Sequence, residues 1–290
     1  MKTAIVTGGT SGIGLGVARM LLAKGYRVYA TYVGPDFEDK TENFNPIKVD
    51  QSNRKELYAF INRVKQECRN IDCIVCNAGL SIRKSFTETT DKDWDIMMEV
   101  AVNSHYILVR ELYSLIPAGS RIIFTGSQMG LMPHAMILSY GVTKAAVHAL
   151  AKNLVKEFEG TGTTVNAIVP GFVETPWQKE KPEEIKQNIY NKTAIHRFAT
   201  VDEVVDAYRF CIDNSFVMDV IGKICSGVTI SMIFNVLINN LMKLWVRFKR
   251  NFYGDESYLT HTLPVDKKTL YLSKTLSSII SLFTSMLVIA

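Results

Sequence analysis

The sequence is poor in the residues that build disulfide frameworks and metal sites. Its 290 residues include five cysteines and five histidines. An odd number of cysteines set in apolar patterns favours free thiols in a reducing compartment. Cys73 and Cys76 form a C-x-x-C pair, but they lie in a predicted buried strand with no second Cys or His pair at metal spacing, so core packing is the favoured interpretation. We therefore expect no metal site and a cytoplasmic protein.

The net charge is also small over most of the chain. The net charge is +5, and residues 215–290 hold eight Lys/Arg against four Asp/Glu, so residues 1–214 are close to neutral. A nearly neutral domain gives no basis for nucleic-acid binding. We also expect no secretory signal, because the first predicted strand begins almost at Met1.

What the sequence does contain is a tyrosine and a lysine at helical spacing. Tyr140 and Lys144 lie in S-Y-G-V-T-K-A-A-V-H-A-L, where the apolar pattern predicts a helix with both residues on one face. A free tyrosine has a pKa of about 10, and a cation within ~6 Å favours the phenolate, so Lys144 is expected to lower the pKa of Tyr140. Ser127 lies thirteen residues upstream of Tyr140 and supplies a hydroxyl for a substrate oxygen. Y-x-x-x-K alone also fits an ordinary surface helix, but the three residues together predict an acid–base site.

A glycine-rich turn follows the first apolar run of the chain. K-T-A-I-V leads directly into T-G-G-T-S-G-I-G at residues 7–14, and a helical pattern follows with Val17, Leu21 and Leu22 on its apolar face. Glycines let backbone amides approach a phosphate, and a helix N-terminus attracts anions. At the opening of a βαβ unit this turn predicts a dinucleotide site, although its spacing is G-x-x-x-G-x-G and not the commoner G-x-G-x-x-G.

Six Val/Ile-rich runs alternate with helical patterns along the first 214 residues. They cover residues 3–7, 27–32, 46–50, 71–76, 121–126 and 163–169. This alternation predicts an α/β fold, a Rossmann-type doubly wound parallel sheet with helices on both faces and right-handed crossovers. We place a dinucleotide-binding catalytic domain at 1–229 and a C-terminal extension at 230–290.

With these motifs in place, residues 1–214 resemble the short-chain dehydrogenase/reductase family, and within it the 3-oxoacyl-[acyl-carrier-protein] reductase type. The resemblance is carried by the T-G-x-x-x-G-I-G turn, I-K-V-D ending at Asp50, C-N-A-G at 76–79, Ser127, Tyr140 with Lys144, and P-G at 170–171 followed by Thr175. It implies an NAD(P)(H)-dependent oxidoreductase that transfers a hydride between the nicotinamide and a carbonyl or secondary alcohol, with 3-oxoacyl thioesters as one candidate substrate. It also implies a homo-oligomer, if the altered C-terminus permits one.

The resemblance implies a role for each matching residue. Ser127 would hold the carbonyl, Tyr140 would deliver the proton, and Lys144 would lower the pKa of that tyrosine and bind the ribose. Asp50 would meet the adenine, and residues 170–175 would contact the nicotinamide. The full set of implied cofactor-binding residues is Gly8, Thr10, Ser11, Gly12, Ile13, Gly14, Thr31, Tyr32, Asp50, Gln51, Asn77, Ala78, Gly79, Tyr140, Lys144, Pro170, Gly171, Val173 and Thr175.

One family feature is missing from its expected place. Family members carry an asparagine seven residues after a tryptophan, where it supports a water relay to the lysine, and counting seven from Trp94 gives Ala101. Asn103 lies two residues further on, about 200° around an α-helix. Either a local register change brings Asn103 into place or the fourth catalytic residue is missing. We favour the second, which predicts a slower enzyme; the alternative function is a cofactor-binding or membrane-associated protein with impaired turnover.

The end of the second strand bears on the choice of cofactor. Enzymes that prefer NAD place a carboxylate there, whereas this chain has Thr31 and Tyr32. No Arg or Lys follows at once to hold a 2′-phosphate, and Asp36 lies close by. We expect NADP(H) to be favoured over NAD(H), with reduction as the cellular direction.

Residues 230–290 have no counterpart in a single-domain reductase. Before them, G-K-I-C-S-G at 222–227 is an imperfect form of the closing strand of the family. Ile230–Val246 is apolar, helix-compatible and followed by basic residues, and the fifteen uncharged residues 276–290 fall short of the ~20 that span a bilayer. Three interpretations stay open: extra helices packed on the reductase or between subunits, membrane contact, or a tail with no evolved role.

Overall fold

The computed structural model describes residues 1–134, 136–179, 181–217 and 221–222. The predictions made for residues 230–290, including helices, membrane contact and a subunit interface, lie outside the described residues and stay predictions.

The sheet has seven parallel strands in the order β3-β2-β1-β4-β5-β6-β7. The strands are β1 Thr3–Val6, β2 Arg27–Tyr32, β3 Phe44–Lys48, β4 Cys73–Cys76, β5 Arg121–Thr125, β6 Thr164–Ile168 and β7 Ile221–Gly222. The six predicted strands are confirmed, with their ends within two residues of the predicted ones. The seventh strand pairs with Ala167 and Ile168 at the sheet edge.

Helices cover both faces of this sheet. They are α1 Gly12–Ala23, α2 Arg54–Glu67, α3 Asp91–Met98, α4 Ser104–Leu112, α5 Leu138–Glu157, α6 Pro176–Lys179, α7 Glu183–Tyr190 and α8 Val201–Asp213. Local sequence sets several of their starts: Thr90 and Asp93 form a reciprocal capping box on α3, as do Thr200 and Glu203 on α8. A π-helical turn, Glu99–Asn103, joins α3 to α4.

The strands are apolar on both sides because each side faces a separate core layer. In β4, Ile74 and Cys76 pack into the layer that includes Leu57, Leu108 and Val147 of α2, α4 and α5. Cys73 and Val75 pack into the opposite layer under α1 and α8. Both thiols are fully buried, and burial raises the pKa of Cys73 to about 12. The doubly wound sheet and the core role of the C-x-x-C pair are thus confirmed.

The functional crevice follows from the strand order. The chain leaves β1 towards β2 on one side and reaches β4 on the other, so the loops after β1 and β4 diverge at the carboxyl edge of the sheet. Ligands of open α/β sheets bind at such a switch point. The glycine turn, the C-N-A-G segment and the residues after β5 and β6 all lie at this edge.

Candidate active site

The turn after β1 is shaped by glycine. Gly8 and Gly12 have φ values of +62° and +50°, a region that side chains other than glycine seldom adopt. Gly14 lies so close to the turn that a β-carbon would stand 2.1 Å from the carbonyl oxygen of Gly8. Ser11 precedes α1 without making a side-chain cap, so its hydroxyl does not occupy the backbone amides of the first turn. The turn therefore presents backbone N–H groups to an anion at a helix N-terminus.

The loop after β4 is fastened to this turn by Thr7. Its Oγ1 accepts hydrogen bonds from the backbone N–H of Asn77 at 2.8 Å and of Ala78 at 2.9 Å. The Asn77 amide donates in turn to the carbonyl of Thr7 at 3.1 Å. These bonds fix the relative positions of the glycine turn and the C-N-A-G segment, which form one wall of the site.

Two of the predicted cofactor residues support the turn from below. Thr31 Oγ1 accepts from the N–H of Gly8 at 3.2 Å and from Gln51 Nε2 at 2.9 Å. Both side chains are buried, with exposures of 1% for Thr31 and 3% for Gln51. They hold the turn in place and do not face the cavity.

The end of β2 has a cation beside it that sequence reading missed. Tyr32 pairs with Lys48 in the parallel register of β2 and β3, which puts the lysine next to the expected ribose position. Lys48 Nζ lies 3.3 Å from Asp36 and is exposed. The residues immediately after Tyr32 include no Arg or Lys, whereas a neighbour on the parallel strand comes from sixteen positions further along the chain. Asp50 lies just beyond β3, where its carboxylate accepts from the backbone N–H and the hydroxyl of Ser52.

Ser127, Tyr140 and Lys144 meet where β5 ends and α5 begins. The predicted helix is confirmed, and Lys144 Nζ lies 5.7 Å from the centre of the Tyr140 ring. The ammonium donates a 2.7 Å hydrogen bond to the carbonyl of Thr125. The Tyr140 and Ser127 side chains are hydrogen-bonded, and Ser127 Oγ also accepts from the N–H of Met129 at 3.2 Å.

Burial governs the electrostatics of these residues. It raises the pKa of Tyr140, and the hydrogen bond with Ser127 offsets this only in part. It also lowers the pKa of Lys144 to about 8. The sequence-based expectation of a lowered tyrosine pKa is therefore wrong in direction, because it counted the charge of Lys144 and not the removal of the phenol from water.

Two buried histidines near Lys144 were also missed. His148 Nε2 accepts a hydrogen bond from the backbone N–H of Ser127 at 3.2 Å. His105 Nε2 lies 3.3 Å from Thr7 Oγ1. Burial and the charge of Lys144 lower the pKa of His148 to about 4 and that of His105 to about 3, so both rings are neutral at pH 7. The sequence could have pointed to His148 through its spacing, because it follows Tyr140 and Lys144 on the same helical face.

The helical register does change locally, in the π-helical turn that ends at Asn103, but it does not bring Asn103 to the cavity. The Asn103 amide donates to Glu99 Oε2 at 2.6 Å, and Glu99 also pairs with Arg54. Asn103 does not line the cavity, while Ala101 is 1% exposed within the core. This geometry favours the interpretation that the fourth residue is missing.

The glycine turn and the residues around Tyr140 line a single cavity of about 910 Å³. Of the predicted site residues, it is lined by Gly8, Ser11, Gly12, Ile13, Asn77, Ala78, Gly79, Ser127, Tyr140, Lys144, Pro170, Gly171, Val173 and Thr175. Thr10, Gly14, Thr31, Tyr32, Asp50 and Gln51 do not line it. Met129, His134, Ile137, Phe172 and Trp177 are also part of its wall.

Comparison with known proteins identifies this arrangement. The family model for short chain dehydrogenases matches residues 2–186. The chain belongs to the short-chain dehydrogenase/reductase family. It is therefore an oxidoreductase of the CH–OH/C=O type that uses NAD(P)(H).

Relatives within this family differ in type. The chain is 36% identical over 185 residues to the 2-dehydro-3-deoxy-D-gluconate 5-dehydrogenase of Pseudoalteromonas atlantica, covering 60% of this chain and 73% of the relative. It is 26% identical over 241 residues to the 3-oxoacyl-[acyl-carrier-protein] reductase of Thermotoga maritima, covering 79% and 98%. A blue fluorescent protein from a metagenomic library, solved with NADPH, has a TM-score of 0.73 at 21% identity, covering 78% of this chain and 97% of that one. The reductase type is thus one of several similar types.

The part of the chain that the structure describes contains no group of three or more His, Cys, Asp or Glu residues arranged to hold a metal. None of its helices combines the length and hydropathy needed to cross a membrane.

Proposed function

We propose that the protein is a reductase that delivers a hydride and a proton to a carbonyl, with Ser127, Tyr140 and Lys144 as its catalytic residues. The observation that carries this proposal is that these three side chains and the glycine turn line the same cavity. A nicotinamide and a carbonyl held in it would be neighbours.

The residues present fit a dinucleotide. The positive φ of Gly8 and Gly12 and the uncapped start of α1 suit a pyrophosphate at the helix N-terminus. Asn77 to Gly79 and residues 170–175 would hold the nicotinamide half, and Lys144 the ribose. When bound, the reduced nicotinamide supplies the hydride.

The chain's own residues handle the proton and the developing negative charge. The Tyr140 hydroxyl would donate its proton to the substrate oxygen as the hydride reaches the carbon, while Ser127 Oγ–H would donate a hydrogen bond to the same oxygen. The phenol of Tyr140, whose ordinary pKa of about 10 is raised further by burial, is protonated near neutrality, which is the form that a reductase needs. The Lys144 ammonium, fixed by Thr125, would then stabilise the phenolate.

We further propose that NADP(H) is the preferred cofactor. No carboxylate stands at Thr31 or Tyr32, and Lys48 lies across the strand from Tyr32, within the region where a 2′-phosphate would be bound. A 3-oxoacyl thioester is one candidate substrate, because the cavity wall includes Met129, Ile137 and Trp177, which suit an acyl chain.

A spectrophotometric screen of the purified protein tests these proposals together. NADPH and NADH are each offered with 3-oxoacyl thioesters, quinones and cyclic ketones, and loss of reduced nicotinamide is followed. We expect turnover with at least one class and a preference for NADPH. Tight binding of NADPH with no turnover on any class would instead support the alternative of a cofactor-binding protein with impaired catalysis, which the absence of an amide at Ala101 favours.

A further inference from the structure

The substrate end of the cavity carries charge of one sign. Its charged lining residues are Arg83 in the loop after β4, Lys181 between α6 and α7, Lys192 after α7, and the catalytic Lys144. None of the described lining residues is Asp or Glu. Lys144 is buried and bonded to Thr125, so three cations remain near the mouth.

Neighbouring cations on the same segments behave differently. Lys84, next to Arg83, pairs with Asp93 at 2.7 Å, and Lys186 on α7 pairs with Glu183 at 3.4 Å. Within the described residues, Arg83, Lys181 and Lys192 form no ion pair with a carboxylate. Among the described residues, Lys84 and Lys186 thus have carboxylate partners, and the three cations that line the cavity have none.

Arg83 and Lys181 also lie close enough to interact. The Lys181 ammonium is half-buried, 6.0 Å from the centre of the Phe172 ring. Burial and the charge of Arg83 together lower the pKa of Lys181. Two like charges that have no carboxylate partner among the described residues repel each other, and an anion between them removes that repulsion. The planar guanidinium of Arg83 can donate two parallel hydrogen bonds to the oxygens of a carboxylate or phosphate.

We propose that the substrate is anionic, with a carboxylate or phosphate group bound between Arg83 and Lys181 at the end away from the reacting carbonyl. This inference rests on the proposed reductase function and narrows its substrate class. Ile137, Ile185 and Ile189 line the same cavity and provide apolar surface for the carbon skeleton. The anionic group comes either from the substrate itself, as in a keto acid, or from the phosphates of a carrier thioester.

Matched pairs of probes test the inference. Acetoacetate is compared with ethyl acetoacetate, and acetoacetyl-coenzyme A with the neutral S-acetoacetyl-N-acetylcysteamine, by kcat/KM with NADPH. We expect the anionic member of at least one pair to be favoured by tenfold or more. An advantage confined to acetoacetate assigns the site to a substrate carboxylate, and one confined to the coenzyme A ester assigns it to a carrier phosphate.

Charge-removing variants locate the effect. Arg83→Gln and Lys181→Gln should each lower kcat/KM for the favoured anion about 10- to 100-fold, mainly through KM, and leave its neutral partner within twofold. Lys186→Gln removes the same charge from a paired position nearby and should change neither. Equal rates for anionic and neutral probes in the wild type, or equal losses for both in the variants, would overturn the inference while leaving the reductase function intact.

A binding measurement covers the case in which no probe is reduced. Trp177 lines the same cavity, so acetoacetate is titrated into the NADP⁺-saturated protein while tryptophan fluorescence is followed, with Trp177→Phe to identify the source of the signal. Saturable binding that Arg83→Gln and Lys181→Gln weaken tenfold supports the anion site even if the proposed catalysis fails. Acetoacetyl-coenzyme A is titrated in the same way, and absence of binding by both ligands overturns the inference.

Discussion

Burial shifts the pKa values of Tyr140 and Lys144 in opposite directions. Removal from water disfavours the charged form of each group, so the phenol becomes harder to ionise and the ammonium easier to neutralise. At pH 7 the pair is therefore a protonated phenol beside a lysine that is still mostly charged. The phenol carries the proton that reduction requires, and the ammonium can stabilise the anion that is left when the proton is transferred.

Removing the Tyr140 hydroxyl should abolish most of the proton transfer. We expect Tyr140→Phe to lower kcat by about a hundredfold or more, the range for loss of a positioned general acid. NADPH affinity, followed by fluorescence titration, should stay nearly unchanged. Tyr106→Phe, on an exposed tyrosine of α4, is the control. Turnover near the wild-type value in Tyr140→Phe would refute the proposed acid.

Activity should also fall on the alkaline side at an unusually low pH. A free lysine keeps its charge to a pKa of about 10.4, whereas Lys144 loses it near pH 8. As pH rises through this value, the cation that stabilises the phenolate disappears, so kcat/KM for reduction should decline above about pH 8. A profile measured from pH 6 to 10 that stays flat would show that Lys144 remains charged or does not contribute.

Lys48 should contribute to the choice of cofactor. A charge-assisted hydrogen bond contributes about 1.5–3 kcal/mol, so Lys48→Ala should weaken NADPH about 10- to 100-fold and leave NADH nearly unchanged. Tyr32→Asp should shift preference further towards NAD by repelling a 2′-phosphate. Lys55→Ala on α2 is the matched control. An unchanged NADPH:NADH ratio in both variants would place the ribose elsewhere.

Helix α5 places three functional side chains on one of its faces. Tyr140, Lys144 and His148 follow one another at intervals of four residues, and the last supports the Ser127 backbone from below. His148→Leu would leave the Ser127 N–H buried without an acceptor, at a cost of about 1–3 kcal/mol in the free energy of unfolding. It should also lower kcat, because Ser127 loses its support.

Chemical denaturation and steady-state kinetics measure the two effects of this substitution. His148→Gln, which keeps an acceptor oxygen, should recover part of both losses. Equal stability and kcat in His148→Leu and the wild type would mean that the hydrogen bond to Ser127 is dispensable.

Features that depend on residue type and spacing over a few positions could be predicted from the sequence. Features that depend on tertiary contacts could not. The glycine turn, the six strands and the start of α5 follow from residue type and spacing over a few positions. The π-helical turn at Glu99–Asn103 has no residue pattern of its own, and only the spacing from Trp94 to Asn103 left a register change open. Lys48 comes to Tyr32 only through the register of β2 and β3. The pKa direction of Tyr140 depends on burial, which the spacing of Y-x-x-x-K does not contain.

For the molecule as a whole, the buried histidines should make stability sensitive to mild acid. His105 and His148 have folded pKa values of about 3 and 4, below the unfolded value of 6.5. Between these values the unfolded chain binds protons that the folded chain does not, so the free energy of unfolding falls as pH drops from about 6.5. The slope is at most about 1.4 kcal/mol per pH unit for each histidine.

Denaturation measured between pH 6.5 and 4.5 isolates this effect. Glu203, whose pKa is lowered to about 2 by Arg197, loses its contribution only below about pH 4.5. His148→Leu should reduce the dependence of the free energy of unfolding on pH in this range. A slope equal to that of the wild type would show that His148 is protonated in the folded protein.

His148 also limits how its neighbours can change. A β-carbon at Gly126 would lie 2.2 Å from its Nε2, and one at Gly130 would lie 2.8 Å from its Cε1. The imidazole therefore fills the space that a larger residue at Gly126 would need, whereas at Gly130 the backbone of Lys144 and Ala145 is closer still, at 2.7 Å. Over evolutionary time Gly126 and His148 cannot drift independently: in descendants of this chain, replacement of Gly126 has to follow loss of the histidine. Gly126→Ala would be harmful here and tolerated after His148→Ala, which is sign epistasis with a steric cause.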